Sequence, residues 1–112
     1  MKIIQTIIIA GLLMTSLSSM AANRCTTWGC LSTISTLYTN ANGAIYIGTP
    51  FDEKLANCSP ASGVYFSLDP NAANAKEVYS TLLSSFMTNS VIQLRIKEGS
   101  TNCQLAYVRL NR

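Results

Sequence analysis

"STISTLYTNANGAIYIGTP", residues 32–50, decides the class of fold. Thr, Ser, Ile and Tyr dominate it, a composition that suits a pleated, half-buried strand better than a helix. Two extended runs flank Asn40-Ala41-Asn42-Gly43, and Asn-Gly supplies the positive φ angles that a tight hairpin requires. In the second run Ile45 and Ile47 share one face while Tyr46 takes the other. Gly48-Thr49-Pro50 ends it. The stretch predicts an antiparallel hairpin.

Toward the C-terminus, "FDEKLANCSPASG" (51–63) is a polar connection carrying Cys58, with Pro60 and Gly63 as breakers. "VYFSLDP" (64–70) alternates, with Val64, Phe66 and Leu68 on one face. The period then changes. In "NAKEVYSTLLSSFM" (74–87) the apolar positions are 75, 78, 79, 82, 83 and 86. That is helical spacing, with Lys76, Ser80, Thr81 and Ser84 on the opposite side. Asn74 is placed to cap this helix and Glu77 to complete a capping-box-like pair, with the end expected near Thr88-Asn89. "VIQLRIK" (91–97) buries Ile92, Leu94 and Ile96 and exposes Gln93, Arg95 and Lys97. In "CQLAYVRLN" (103–111) both alternating sets contain apolar residues, the pattern of burial on two sides or of an interface. The expected order is β-β-β-α-β-β, a β-rich α+β domain built on a curled antiparallel sheet with one helix packed on it.

Toward the N-terminus the text is "MKIIQTIIIAGLLMTSLSSMAA". A positive n-region, an apolar core and small residues before Ala21-Ala22 form the three-part pattern of a signal peptide, residues 1–22, removed after Ala21 or Ala22. The apolar run is shorter than the ~20 residues needed to span a bilayer, and no basic stop-transfer cluster follows it. Arg24, not a small residue, precedes Cys25, which argues against lipidation. Residues 23–112 are then a single domain with no membrane span, secreted or periplasmic.

Once Lys2 is lost, seven basic side chains face five acidic ones. So mild an excess gives no electrostatic footprint for nucleic acid. The chain is short enough that its small core benefits from covalent help. All four cysteines lie beyond the leader, and in an exported chain that implies two disulfides. In "NRCTTWGC" (23–30) four residues separate Cys25 from Cys30, and a strand-like segment follows. A redox pair would be Cys-x-x-Cys at a helix start. A zinc site would need a second close Cys or His pair, but the chain has no histidine. Four cysteines allow three connectivities, which sequence does not separate; the expected pairs are Cys25–Cys30 and Cys58–Cys103.

The lack of histidine also excludes Ser-His-Asp and Cys-His nucleophile systems. Asp52, Glu53, Asp69, Glu77 and Glu98 are scattered and read as solvated acids, not as a glycosidase pair. Asn57-Cys58-Ser59 matches a glycosylation acceptor but is read first as a half-cystine site. No phosphate loop or EF-hand loop occurs, and no catalysis, metal or cofactor is expected. What remains is tyrosine: Tyr38, Tyr46, Tyr65 and Tyr107 on strands and Tyr79 on the helix. A flat apolar ring with one hydroxyl suits sugar rings and protein interfaces alike, although strands favour tyrosine in any case. Tyr38, Tyr46 and Tyr65, with Arg95 as a polar partner, are the candidate ligand surface.

Three stretches, "LYTNANGAIYIGT", "KEVYSTLLSSFMTNSVIQLRI" and "GSTNCQLAYVRL", together resemble the B subunits of bacterial A–B toxins, of the subtilase-cytotoxin and pertussis-like group. The resemblance implies a small OB-like barrel that self-associates into a ring, binds a host glycan or protein receptor, and serves a separately encoded catalytic subunit. The chain is shorter than those subunits, and none of their sialic-acid contacts maps onto it. The other reading is a structural, accessory or inhibitor protein of the periplasm or extracellular space, with a protein partner.

Mass spectrometry of the mature protein is expected to find Ala22 or Asn23 at the N-terminus and no free thiol. Replacing Cys103 with serine should cost about 4 kcal/mol and replacing Cys30 about 2, because the 58–103 loop is far longer. Two reactive thiols at 25 and 30 would instead restore the redox reading.

Overall fold

A computed structural model describes residues 22–112. The expected leader, 1–22, lies outside the described residues except for its last position. The chain runs through β1 (Arg24–Thr26), β2 (Gly29–Ser32), β3 (Thr36–Thr39), β4 (Ile45–Gly48), a 3-10 turn (Glu53–Leu55), β5 (Phe66–Leu68), α1 (Ala75–Thr88), β6 (Ile92–Ile96) and β7 (Leu105–Leu110). The strands form two antiparallel sheets, ordered β1-β2-β6-β7 and β3-β4-β5. The class is β-rich α+β, as expected. The two sheets curl around a shared core without closing into a barrel.

The expected order gave five strands; the described residues contain seven. One extra strand, β1, lies within "NRCTTWGC", which is a hairpin and not merely a stapled loop, and the other arises because the expected first strand is two, β2 and β3. Cys25 stands directly across from Cys30 in the β1–β2 ladder, and the two are disulfide-bonded. The second disulfide joins Cys58 to Cys103, so the expected connectivity holds and no cysteine among the described residues is free. The extended run from 31 to 39 also divides. Its first half, β2, pairs with β6, and its second half, β3, pairs with β4. Buried Ile34 anchors the crossing between the sheets, where the Ser35 amide donates to the Gly48 carbonyl (2.8 Å).

Turn chemistry departs from expectation in one instructive way. In the β3–β4 hairpin only Gly43 has positive φ (87°). Asn40 instead holds the loop, its Oδ1 accepting from the amides of Asn42 (3.0 Å) and Ala44 (3.1 Å). Consecutive positive φ values occur at Ser62 (53°) and Gly63 (78°). There the Val64 amide donates to the Ala61 carbonyl (3.1 Å), the pattern of a type I′ turn. Val64 thus belongs to the turn and is exposed, not on the buried face of a strand.

Core packing follows the alternation closely on β6, where Ile92, Leu94 and Ile96 are buried and Gln93 and Arg95 are half-buried. Phe66, Ile47, Leu82 and the Cys25–Cys30 pair complete the centre. The helix buries Ala75, Leu82 and Ser85, with Val78 and Tyr79 packed beside them. Leu83 and Phe86, expected to face inward, are exposed, because the buried stripe is centred on 78, 82 and 85. Asn74 caps through its backbone only: its side chain makes no capping bond, so the capping box does not form. At the other end Asn89 is left-handed (φ 53°), and the Ser90 amide returns to the Ser85 carbonyl (3.0 Å), a Schellman-type stop. β7 is an edge strand. Leu105 is buried while Tyr107 and Leu110 are exposed, so its two-sided apolar pattern does not mean burial on both faces.

One corner joins the sheets. Asn102 (φ 64°) and Cys103 (φ 46°) turn the chain sharply before β7. Their carbonyls both accept from Ser67 of β5, Cys103 O from the amide (3.0 Å) and Asn102 O from the hydroxyl (2.7 Å).

Gly29 is a second fixed point. Its φ is 141°, and a Cβ there would stand 1.9 Å from the Leu94 carbonyl oxygen on β6. Gly29→Ala is therefore expected to cost about 3 kcal/mol or more in chemical denaturation, by forcing β2 off β6. Gly43→Ala meets nothing within 4 Å and should cost only about 1–2 kcal/mol, from backbone strain alone. Equal losses would contradict the close approach of the two strands.

Candidate functional site

The β3–β4–β5 sheet has one face in the core and one outward. Register sets which side chains share the outer face: Tyr38 is opposite Tyr46, and Tyr46 is opposite Ser67. Two residues before Ser67, Tyr65 falls on the same face, beside Gly48. A Cβ at Gly48 would stand 3.2 Å from the Thr36 Cβ and 3.4 Å from the Tyr65 ring, so any branched side chain there would crowd the ring from the β3 side.

The three rings form a continuous aromatic surface. Centroids are 5.6 Å apart for Tyr38–Tyr46, 5.6 Å for Tyr46–Tyr65 and 6.0 Å for Tyr38–Tyr65. Tyr46 and Tyr65 are stacked, with 20° between planes, and Tyr38 tilts against both. Such pairs contribute about 0.5–1.5 kcal/mol each beyond the area they bury. Tyr38 is exposed, and Tyr46 and Tyr65 are half-buried. The residues brought together are apolar plates with hydroxyl rims, Tyr38 on β3, Tyr46 on β4, and Tyr65 bridged to Ala61 directly before β5.

Arg95, expected beside these tyrosines, stands on the other sheet, on β6 across from Gly29 and Tyr107. Its guanidinium lies 5.8 Å from the centroid of the Trp28 ring, a cation–π contact of about 0.5–1 kcal/mol. Tyr107 shares the outer face of that sheet, and Tyr79 lines a separate cleft with Ile45, Pro70 and Lys76. Three of the five tyrosines thus converge, and the arginine has a different aromatic partner.

Glu53 is the acid that sequence misjudged. It is only 3% exposed, and its Oε2 accepts from the Thr49 amide (2.7 Å) and hydroxyl (2.8 Å). This clasp ties the 3-10 turn to the end of β4, just beyond the tyrosine surface. An acid four residues after Thr-Pro was the available signal, but spacing alone does not separate a clasp from a solvated pair. Among the described residues no cluster of three metal-ligating side chains occurs. Compared with protein-family models, with curated proteins and with solved structures, the chain matches none.

Gly48→Val should displace the Tyr65 ring and break the aromatic contact. The expected result is a reduced near-UV circular dichroism signal from tyrosine, with far-UV signal retained. An unchanged near-UV spectrum would mean that Tyr65 does not depend on the room left by Gly48.

Proposed function

We propose that this chain is a non-catalytic binding module that works outside the cytoplasm and receives a glycan, or the face of a protein receptor, on the Tyr38–Tyr46–Tyr65 surface. The observation that carries this reading is the mutual packing of the three rings on a rigid sheet. Rigid aromatic plates lose little conformational entropy when a flat apolar sugar face is laid on them. Two disulfides and the lack, among the described residues, of a helix able to cross a membrane are compatible with an oxidising, non-cytoplasmic setting.

In the finer form of the reading, the curled sheets are OB-like and the chain is a toxin B-subunit-like receptor binder. It would then assemble as a ring and carry a separately encoded catalytic subunit. The second reading, an accessory or inhibitor protein with a protein partner, is favoured by a different feature. Leu83, Phe86 and Met87 form an exposed apolar flank on α1, with Met87 73% exposed, and such surfaces mark protein contacts.

A glycan array probed with the mature protein tests the first reading. Enrichment for one sugar class is expected, and Tyr46→Ala should weaken it about tenfold, near 1.4 kcal/mol. Tyr79→Ala should leave it unchanged. No enrichment at high protein loading would remove the sugar reading.

A further inference from the structure

All four arginines of the chain, Arg24, Arg95, Arg109 and Arg112, meet on one surface that linear sequence scatters. Register places Arg24 opposite Leu31, Leu31 opposite Gln93 and Gln93 opposite Arg109. This makes a row of side chains across four strands, with an arginine at each end. The next outward row runs from Thr26 through Gly29 and Arg95 to Tyr107, with Trp28 against Arg95. Arg112 follows β7 and, with Arg109, Leu31 and Gln93, lines a cleft of about 290 Å³ at the end of the same sheet.

No acidic residue occurs on the strands of this sheet, and those of the other sheet carry no charge of either sign. Lys54 and Lys76 lie elsewhere, in the 3-10 turn and on the helix, while Lys97 directly follows β6. Arg24, Arg109 and Arg112 are exposed, and Arg95 is half-buried with its charge held by the indole.

We propose that the outer face of the β1-β2-β6-β7 sheet docks a sulfated polysaccharide. Three considerations choose this occupant. Guanidinium groups match the paired oxygens of sulfate in a fixed fork, better than ammonium does. Arg24 and Arg109 are three strand spacings apart, about 14 Å at the backbone, a separation that suits a repeating anion and not a single small one. In the oxidising setting indicated by the disulfides, extended polyanions are sugars more than nucleic acids. Gln93 and the Tyr107 hydroxyl supply neutral hydrogen-bonding groups between the charges. This face is distinct from the tyrosine surface, so the two can fail independently.

Heparin is the probe, titrated against the mature protein at about 50 mM and about 200 mM salt. Binding is expected to weaken steeply with salt and to vanish with desulfated heparin. Arg24→Gln with Arg109→Gln should weaken it by about tenfold or more, whereas Lys54→Gln with Lys76→Gln, equal in charge, should change it by less than about threefold. Arg24 and Arg109 are exposed on edge strands, so that pair leaves the core intact. Arg95→Gln is the second variant, with the Trp28 contact followed by fluorescence, and should also weaken binding. Tyr46→Ala should have no effect. Three outcomes overturn the proposal: no retention of heparin at the lower salt, equal losses from the arginine and lysine pairs, or equally tight binding of a single-stranded polynucleotide.

Discussion

Two short sheets of four and three strands have to be held as one body, and the corner at Asn102–Cys103 does this. Each sheet has one apolar face, and that face is buried only in the core the two share. Ser67 donates both its amide and its hydroxyl to the corner's two carbonyls, and Cys103, fully buried, is bonded through sulfur to Cys58. The left-handed backbone at both residues is otherwise held by hydrogen bonds, the two from Ser67 and that from the Gln104 amide to the Ser100 hydroxyl (3.0 Å), each contributing about 1 kcal/mol. The cross-link restricts the alternatives open to the unfolded chain and keeps the strained corner in place. Ser67 is also the ladder partner of Tyr46, so the corner that joins the sheets fixes the strand beneath the aromatic surface.

The two sheets then carry different chemistry on their outer faces. One bears uncharged aromatic plates and no ionisable partner, suited to an apolar ring face. The other bears all the arginines, interleaved with Trp28, Gln93 and Tyr107. The shared inner side is filled by both disulfides, the β6 isoleucines and leucine, Phe66 and Leu82. Because these inner residues are rigidly packed, each outer face is a preorganised surface, which limits the ordering cost of binding. The Cys25–Cys30 staple has a matching role at the other end, closing the β1–β2 hairpin on which Arg24 and Trp28 sit.

Much of this was legible where a pattern was local. The alternation of Ile92, Leu94 and Ile96, the helix over 75–88 and both disulfide pairs agree with expectation. Features set by tertiary context were not. The run through Ile34 reads as one strand, yet the chain changes sheets there, since alternation carries no information about which neighbour a strand pairs with. Leu83 and Phe86 fit a helical stripe as well as Val78 and Leu82 do, and only packing chooses among them and brings polar Ser85 inside. Glu53 reads as solvated because its partners, the amide and hydroxyl of Thr49, reach it only once the chain turns back after β4, which residue type does not reveal. The tyrosine cluster was foreseen, whereas the arginine face was missed because positions 24, 95 and 109 become neighbours only through the β1-β2-β6-β7 register.

Amide hydrogen exchange in the double variant Cys58→Ser, Cys103→Ser tests the central dependence most directly. If the corner couples the sheets, the Ser67 amide and the β4 amides beside it lose protection together, while Leu94 on β6 remains protected. Native-like protection at Ser67, or a uniform loss that includes Leu94, would contradict the corner as the joint between the sheets.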